Sequence, residues 1–395
     1  MRSHAVVRSF GRALAAGIAA LLAGGSLPAQ RAAPNPERPG PWDFDLVLLE
    51  SDDGLRWREK GPFVERAGVP TLLGDRQGRL IALFQWFPEG NLEAFDRVAF
   101  SRSEDQGRNW SLPAPITVEG MPKSLRRPFD PTLVELDDGR YRLYFTSHEV
   151  GEAREPAPGK AYWPRIHSAI SKDGANYTFE PGERFAVEGE MVIDCAAAFW
   201  NGEWHLFAPV QGWPGSAYHA TSKDGLAFER RGDLHVDTRG SWLGCAVAAS
   251  DGLHFYGSGG SGWCAISRDA LSWRLAPDTV RPVGMDPGVA RLKDGSWLMV
   301  ATGEMRPEAR ERAARRPREA APRNNPPREL GGREPFPRAD QGAITANDKF
   351  VYVLRNGILF KLDAESLVVL KSVRLPDDVE PADPASLEPP RPREE

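Results

Sequence analysis

The chain is 395 residues long, 41% hydrophobic and 27% charged, with a net charge of −5. That length supports one large buried core or two medium ones, and the mix of apolar and charged residues is that of a soluble globular protein. A mildly acidic chain with no dense basic stretch in its folded part argues against nucleic acid as its main partner.

In chain order, residues 1–29 read as a signal peptide. Arg2, Arg8 and Arg12 form a positive n-region, Ala13 to Ala23 a short apolar region, and "LPAQ" places cleavage near Ala29. About eleven apolar residues are too few to span a bilayer. No later segment is long or apolar enough either. The expectation is a secreted or periplasmic protein without a membrane span. Cys195, Cys245 and Cys264 are odd in number and lack C-x-x-C spacing. This argues against a zinc centre, allows at most one disulfide and favours buried free thiols.

From residue 42 onward the chain repeats itself. "SDDGLRW" (Ser51, Asp53, Gly54, Trp57) returns as "SEDQGRNW" (Ser103, Asp105, Gly107, Trp110) and "SKDGANYTF" (Ser171, Asp173, Gly174, then Tyr177 or Phe179). It returns again as "SKDGLAF" (Ser222, Asp224, Gly225, Phe228) and "SRDALSW" (Ser267, Asp269, Ala270, Trp273). The spacing of about 45 to 68 residues is that of propeller blades. Each box has the parts of a tight hairpin: an aspartate to accept turn amides, a glycine for positive φ and an aromatic residue to bury.

A second repeat lies between the boxes. "VPTLLGDRQGRLIALFQW" (69–86), "DPTLVELDDGRYRLYFTS" (130–147) and "DPGVARLKDGSWLMVATG" (286–303) each place a proline (Pro70, Pro131, Pro287) eight residues before a turn glycine. "DCAAAFWNGEWHLFAPV" (194–210) and "GCAVAASDGLHFYGSG" (244–259) are looser copies. All five read as paired strands, A and B, and the boxes as hairpins C–D. The order starts with an unpaired C–D and ends with an unpaired A–B, which complete one another. This predicts an all-β, five-bladed β-propeller over 42–303, closed by N-terminal strands that join 286–303 to 45–66.

Residues 304–339, rich in Arg, Glu and Pro, read as a disordered insert. Residues 340–375 carry alternating strands and an "RNG" turn. They resemble one blade of the quinoprotein-type propellers and form either an extra β segment or an additional blade. The latter is the six-bladed, sialidase-like alternative. Residues 376–395 read as a disordered tail.

The boxes are similar to the Asp-box, or BNR repeat, of sialidases. "DPTLVELDDGRYRLYFTS" and "HSAISKDGANYTFEPG" resemble the five-bladed glycoside hydrolase superfamily of arabinanases, xylosidases and invertases. The resemblance covers about 45–303. Sialidases carry their first arginine before the first A strand, where this chain has "AGVP" (Ala67 to Pro70). The five-bladed glycosidases use an aspartate base, a second aspartate that tunes pKa and a glutamate acid near successive A-strand starts. Here Asp130 and Asp286 stand at matching starts, and Asp194 lies one residue later when counted from its turn glycine. Such a slip turns a side chain to the opposite face unless a bulge corrects it. Blades one and four offer Val69 and Gly244.

Antiparallel order puts the short A–B and box turns on one face of the disc and the long, varied loops on the other. Any pocket is therefore expected on the loop face. The catalytic candidates there are Asp130, Asp194, Asp286, Glu149 and Glu190, because glycoside cleavage needs one protonated and one ionised carboxyl. Arg127, Arg165, His148, His167, Trp163, Trp213 and Trp242 are the candidates for substrate binding. Tryptophans stack on sugars and arginines hold acidic ones. The plainer alternatives are aspartates that accept loop amides, tryptophans that pack between blades and histidines without a ligand. No cofactor or metal is expected. Two functions stand side by side: glycoside hydrolysis of a carbohydrate substrate, or non-catalytic binding of glycans or cell-surface partners.

Overall fold

The computed structural model describes residues 40–150, 164–259, 262–277, 279 and 284–315, with the backbone of four further strands between 343 and 374. The chain divides into two units, Met1–Pro317 and Arg318–Glu395. The signal peptide and the C-terminal tail expected from the sequence lie outside the described residues.

The first unit is a five-bladed propeller. Runs rich in Val, Leu, Ile, Phe and Tyr pair as antiparallel strands because such side chains fill both faces of a sheet sandwiched between neighbours. In the second blade the strand Tyr141–Ser147 is buried along its whole length. The inner strands are Ala67–Gly74, Phe129–Glu135, Ala196–Trp200, Ser241–Ala249 and Met285–Arg291. Each packs against the next, and the fifth packs against the first, so the ring is closed. The fifth blade orders Arg58–Val64, Phe44–Ser51, Trp297–Met305 and Met285–Arg291, with Leu48 opposite Val300. N-terminal strands complete the last blade, as the unpaired repeats require. The six-bladed alternative has no opening in this ring.

The box turns share one geometry. In each, the serine hydroxyl donates to the aspartate two residues on, at 2.8–3.0 Å. The aspartate accepts backbone amides beyond the turn, such as Leu226 and Ala227 at 2.8 and 3.0 Å from Asp224. Each box lodges against a neighbouring blade. Tyr144 of the second blade donates to the Gly225 carbonyl at 2.8 Å, and Arg142 to the Asp224 carbonyl at 2.9 Å. On the same face, Lys293 in the fifth A–B turn donates its amide to Gln106 in the first blade's box at 3.1 Å.

Residues 304–315 correct the expectation of disorder from 304 onward. Trp297–Met305 is strand and Pro307–Ala314 is helix. The basic residues are held by acids near the N-terminus: Arg306 pairs with Asp45 at 2.6 Å and with Glu308 at 2.7 Å, and Arg312 pairs with Asp43. The rest of the expected insert, 316–339, lies outside the described residues. The second unit contains one antiparallel sheet, Ala343–Ala346, Phe350–Arg355, Ile358–Asp363 and Val369–Arg374, in sequential order. No described helix is long and apolar enough to cross a membrane.

Candidate active site in the central shaft

Four of the five inner strands are entered alike. Val69, Asp130, Asp194 and Asp286 adopt φ of 50°, 50°, 51° and 48°. Such left-handed backbone costs a non-glycine residue about 1 kcal/mol or more. In four blades the pairing with the second strand is interrupted there, between Gly68 and Thr71, Phe129 and Thr132, Ser241 and Gly244, and Met285 and Gly288. This bulge aims each leading residue at the axis. Val69, Asp130, Asp194, Gly244 and Asp286 line one cavity together with Cys195. The enclosed space is about 10 Å³, room for roughly one water.

Asp194 joins the other two acids despite its offset in the sequence. Its hairpin turns on Asn201 and Gly202 alone, since Trp200 pairs directly with Glu203. In the second blade the last strand pair is Glu135 with Tyr141, around a longer turn. Measured from the strand pairing, the acids match: each precedes by two residues a position bonded to the second strand, Thr132 with Tyr144 and Ala196 with Phe207. The slip lies in the turn and never reaches the shaft. Gly244 fills the fourth place for a steric reason: a Cβ there would overlap the Tyr256 carbonyl.

Hydroxyls of neighbouring blades hold the acids. The Asp194 amide donates to Thr146 Oγ1 at 3.1 Å, and Thr146 in turn hydrogen-bonds the Asp130 carboxyl. The Asp286 amide donates to Ser258 Oγ at 2.6 Å, which donates to the Leu243 carbonyl at 2.8 Å. Burial and the charge of Asp286 raise the Asp130 pKa to about 7, against the Thr146 bond and the pull of Arg126. Burial, then the charges of Asp130 and Asp286, push Asp194 well above the usual carboxylate range. Each carboxyl thus opposes the ionisation of the others, and burial favours the protonated form of Asp130 and Asp194. Burial also pushes the Cys195 thiol up, which removes it as a nucleophile.

The other candidates lie elsewhere. Trp242 is 0% exposed, packs on Phe255 with centroids 4.4 Å apart and donates to the Gly215 carbonyl at 2.9 Å. It is a core residue and no sugar platform. His167, 5% exposed, stacks on Phe145 at 6.0 Å and binds the Gly182 carbonyl at 3.3 Å, so it too is packing. Arg165 pairs with Glu183 at 3.1 Å. His148 sits edge-on to Phe129 at 6.1 Å, with Nδ1 2.9 Å from the Glu149 carbonyl. Glu149 and Glu190 are exposed and line no part of the shaft. Trp213 is exposed in the turn closed by the Ser216 amide on its carbonyl. Arg127 lines a separate cleft with Arg97. Trp163 lies outside the described residues.

Thr146 and Ser258 gave no signal as site residues in the sequence, whereas Arg126 stands among the residues expected on the loop face. Arg126 stands 4.4 Å over the Phe129 ring and 3.3 Å from Asp96, and its charge acts on Asp130. Cys195 and Cys264 are buried free thiols. Among the described residues no group of three or more His, Cys, Asp or Glu is arranged to hold a metal ion.

No protein-family model matches the chain, and no curated protein does. Solved structures resemble it in fold. A protein of unknown function from Dyadobacter fermentans is 14% identical over 65% of this chain and 84% of its own, with a TM-score of 0.43. A family 43 β-1,3-galactosidase is 13% identical over 65% of this chain and 96% of its own, at 0.45. A family 32 β-fructofuranosidase from Bombyx mori is 13% identical over 70% of this chain and 61% of its own, also at 0.45.

Proposed function

We propose that the protein is a glycoside hydrolase-like propeller that acts on carbohydrate outside the cytoplasm, delivered there by residues 1–29. One observation carries the reading: three aspartates from three blades converge on one shaft, where burial and mutual charge raise the pKa of Asp130 and Asp194. Glycoside cleavage needs a proton donor for the leaving oxygen and an ionised carboxylate for water or the anomeric carbon. Asp194, whose carboxyl is pushed well above the usual range, is assigned as the acid. Asp286 is assigned as base or nucleophile, and Asp130 tunes both. The sugar sits over the mouth, because the space between the acids is too small for a ring. The arabinanase- and xylosidase-like variant is favoured over the sialidase-like one. The shaft start at Val69 offers no arginine, and the cation acting on Asp130 among the described residues, Arg126, stands over Phe129 and beside Asp96.

On a panel of aryl and oligomeric glycosides, Asp286→Asn and Asp194→Asn should each lower kcat/KM by about 100-fold or more. Unchanged turnover in both variants would refute the assignment. The second reading, a non-catalytic propeller that binds glycans, is favoured by the narrow shaft and by the missing acids at Val69 and Gly244. Saturable glycan binding by wild type, with no turnover of any bound sugar, would establish it.

A further inference from the structure

A second cleft lies beside the shaft, between the first and second blades. It encloses about 100 Å³, and its walls are Arg97, Val98, Ile116, Val118, Met121 and Arg127. Arg97 opens the third strand of the first blade. Arg127 belongs to the crossover that leads into the inner strand Phe129–Glu135, three residues before Asp130.

Both residues are partly buried, and desolvation acts on the Arg127 guanidinium. Among the described residues, neither has a carboxylate within ion-pair distance, and Arg97 has only a long 3.4 Å bond to the Glu93 carbonyl. The adjacent Arg126 shows the contrast, since it has Asp96 and the Phe129 face. A half-buried cation normally has a counter-charge, because desolvation without one is costly. Burial, then the like charges of Arg97 and Arg126, pull the Arg127 pKa down, and among the described residues no acid is found to oppose them. Two guanidinium forks over an apolar floor match the planar or tetrahedral oxygens of a compact anion. The volume, about ten times that of the one-water space in the shaft, has room for one such group.

We propose that Arg97 and Arg127 form a binding site for a single oxyanion group, a sulfate, phosphate or carboxylate, either free or carried on a sugar. The site is independent of the shaft chemistry, so its failure leaves the hydrolase reading untouched, and the converse holds.

The test is thermal unfolding and calorimetry of the whole protein with sodium sulfate, phosphate and glucuronate, against sodium chloride at matched ionic strength. Wild type should show a saturable rise in Tm with at least one of the three, and Arg127→Gln and Arg97→Gln should each lower the affinity about tenfold or more. Inorganic ions acting as well as glucuronate or a sulfated monosaccharide would assign the site to the free anion; preference for the latter would assign it to a sugar. Without ligand, Arg127→Gln should melt no lower than wild type, since it removes repulsion. Two results would overturn the proposal: no oxyanion exceeds chloride, or the double glutamine variant binds as tightly as wild type.

Discussion

Asp105 and Asp130 are the same side chain under opposite pressures. The Asn109 amide and side chain, with the Ser103 hydroxyl, hold Asp105 down to about 2, and the Ser272 and Leu271 amides do the same for Asp269 against a burial penalty. Burial and Asp286 hold Asp130 up at about 7. A depressed carboxyl stabilises the fold above its unfolded pKa and loses that contribution as pH falls towards 2. A raised one binds more protons folded than unfolded, so stability declines as pH climbs from about 4 to 7. These two sets together place maximal stability near pH 4 to 5. Asp130→Asn should flatten the decline and exceed wild type by at least about 1 kcal/mol at pH 8, with little difference at pH 4. Urea titrations across pH check this, and parallel curves for the two proteins would refute it. Asp130 and Asp286 were legible as site residues because each precedes a proline at a repeated strand start. Asp194 was left in doubt because its distance was counted from a glycine in a shorter turn. Thr146 and Ser258 gave no signal, since each accepts an amide from the blade after its own.

At the scale of the element, the repeated box is a spacer between blades. Gly225 combines φ of 71° with a site where a Cβ would lie 2.7 Å from both Arg142 Nη1 and Tyr144 Oη. Gly225→Ala should therefore cost about 2–3 kcal/mol, read as a loss in urea midpoint at constant slope. Ala270 occupies the matching place in the fifth box at φ of 60° and is fully buried in the core that holds Phe207 and Trp242. Ala270→Gly relieves strain but removes a packed methyl, terms of about 1 kcal/mol each. Its net effect should stay within about 0.5 kcal/mol, and a change as large as that of Gly225→Ala would contradict the spacer role. Blade number and closure were readable because box and strand pair recur with fixed chemistry. The helix Pro307–Ala314 was not. Its segment has the composition of a linker, and its partners Asp43 and Asp45 lie some 260 residues away.

At the scale of the molecule, the ring is held shut at both ends of the propeller chain. Strand Phe44–Ser51 enters the fifth blade, and Arg306 ties Asp45 to the start of the C-terminal helix, its own amide donating to the Asp43 carbonyl at 2.8 Å. Arg306→Ala should lower stability by about 1–2 kcal/mol, a fall of roughly 2–4 °C in Tm by calorimetry. The loss should be absent if Asp45 has already been changed to Asn. This closure also orders events during synthesis. Of the propeller's strands, the hairpin of residues 44–64 is made first, yet its partner strand, Trp297–Met305, is made last. Until then the nascent chain carries an unpaired edge at the front of a growing row of blades, a template for pairing with another chain. Folding to the closed ring must wait for nearly the whole propeller to be translated, and is slowed by the long sequence separation of its final contacts.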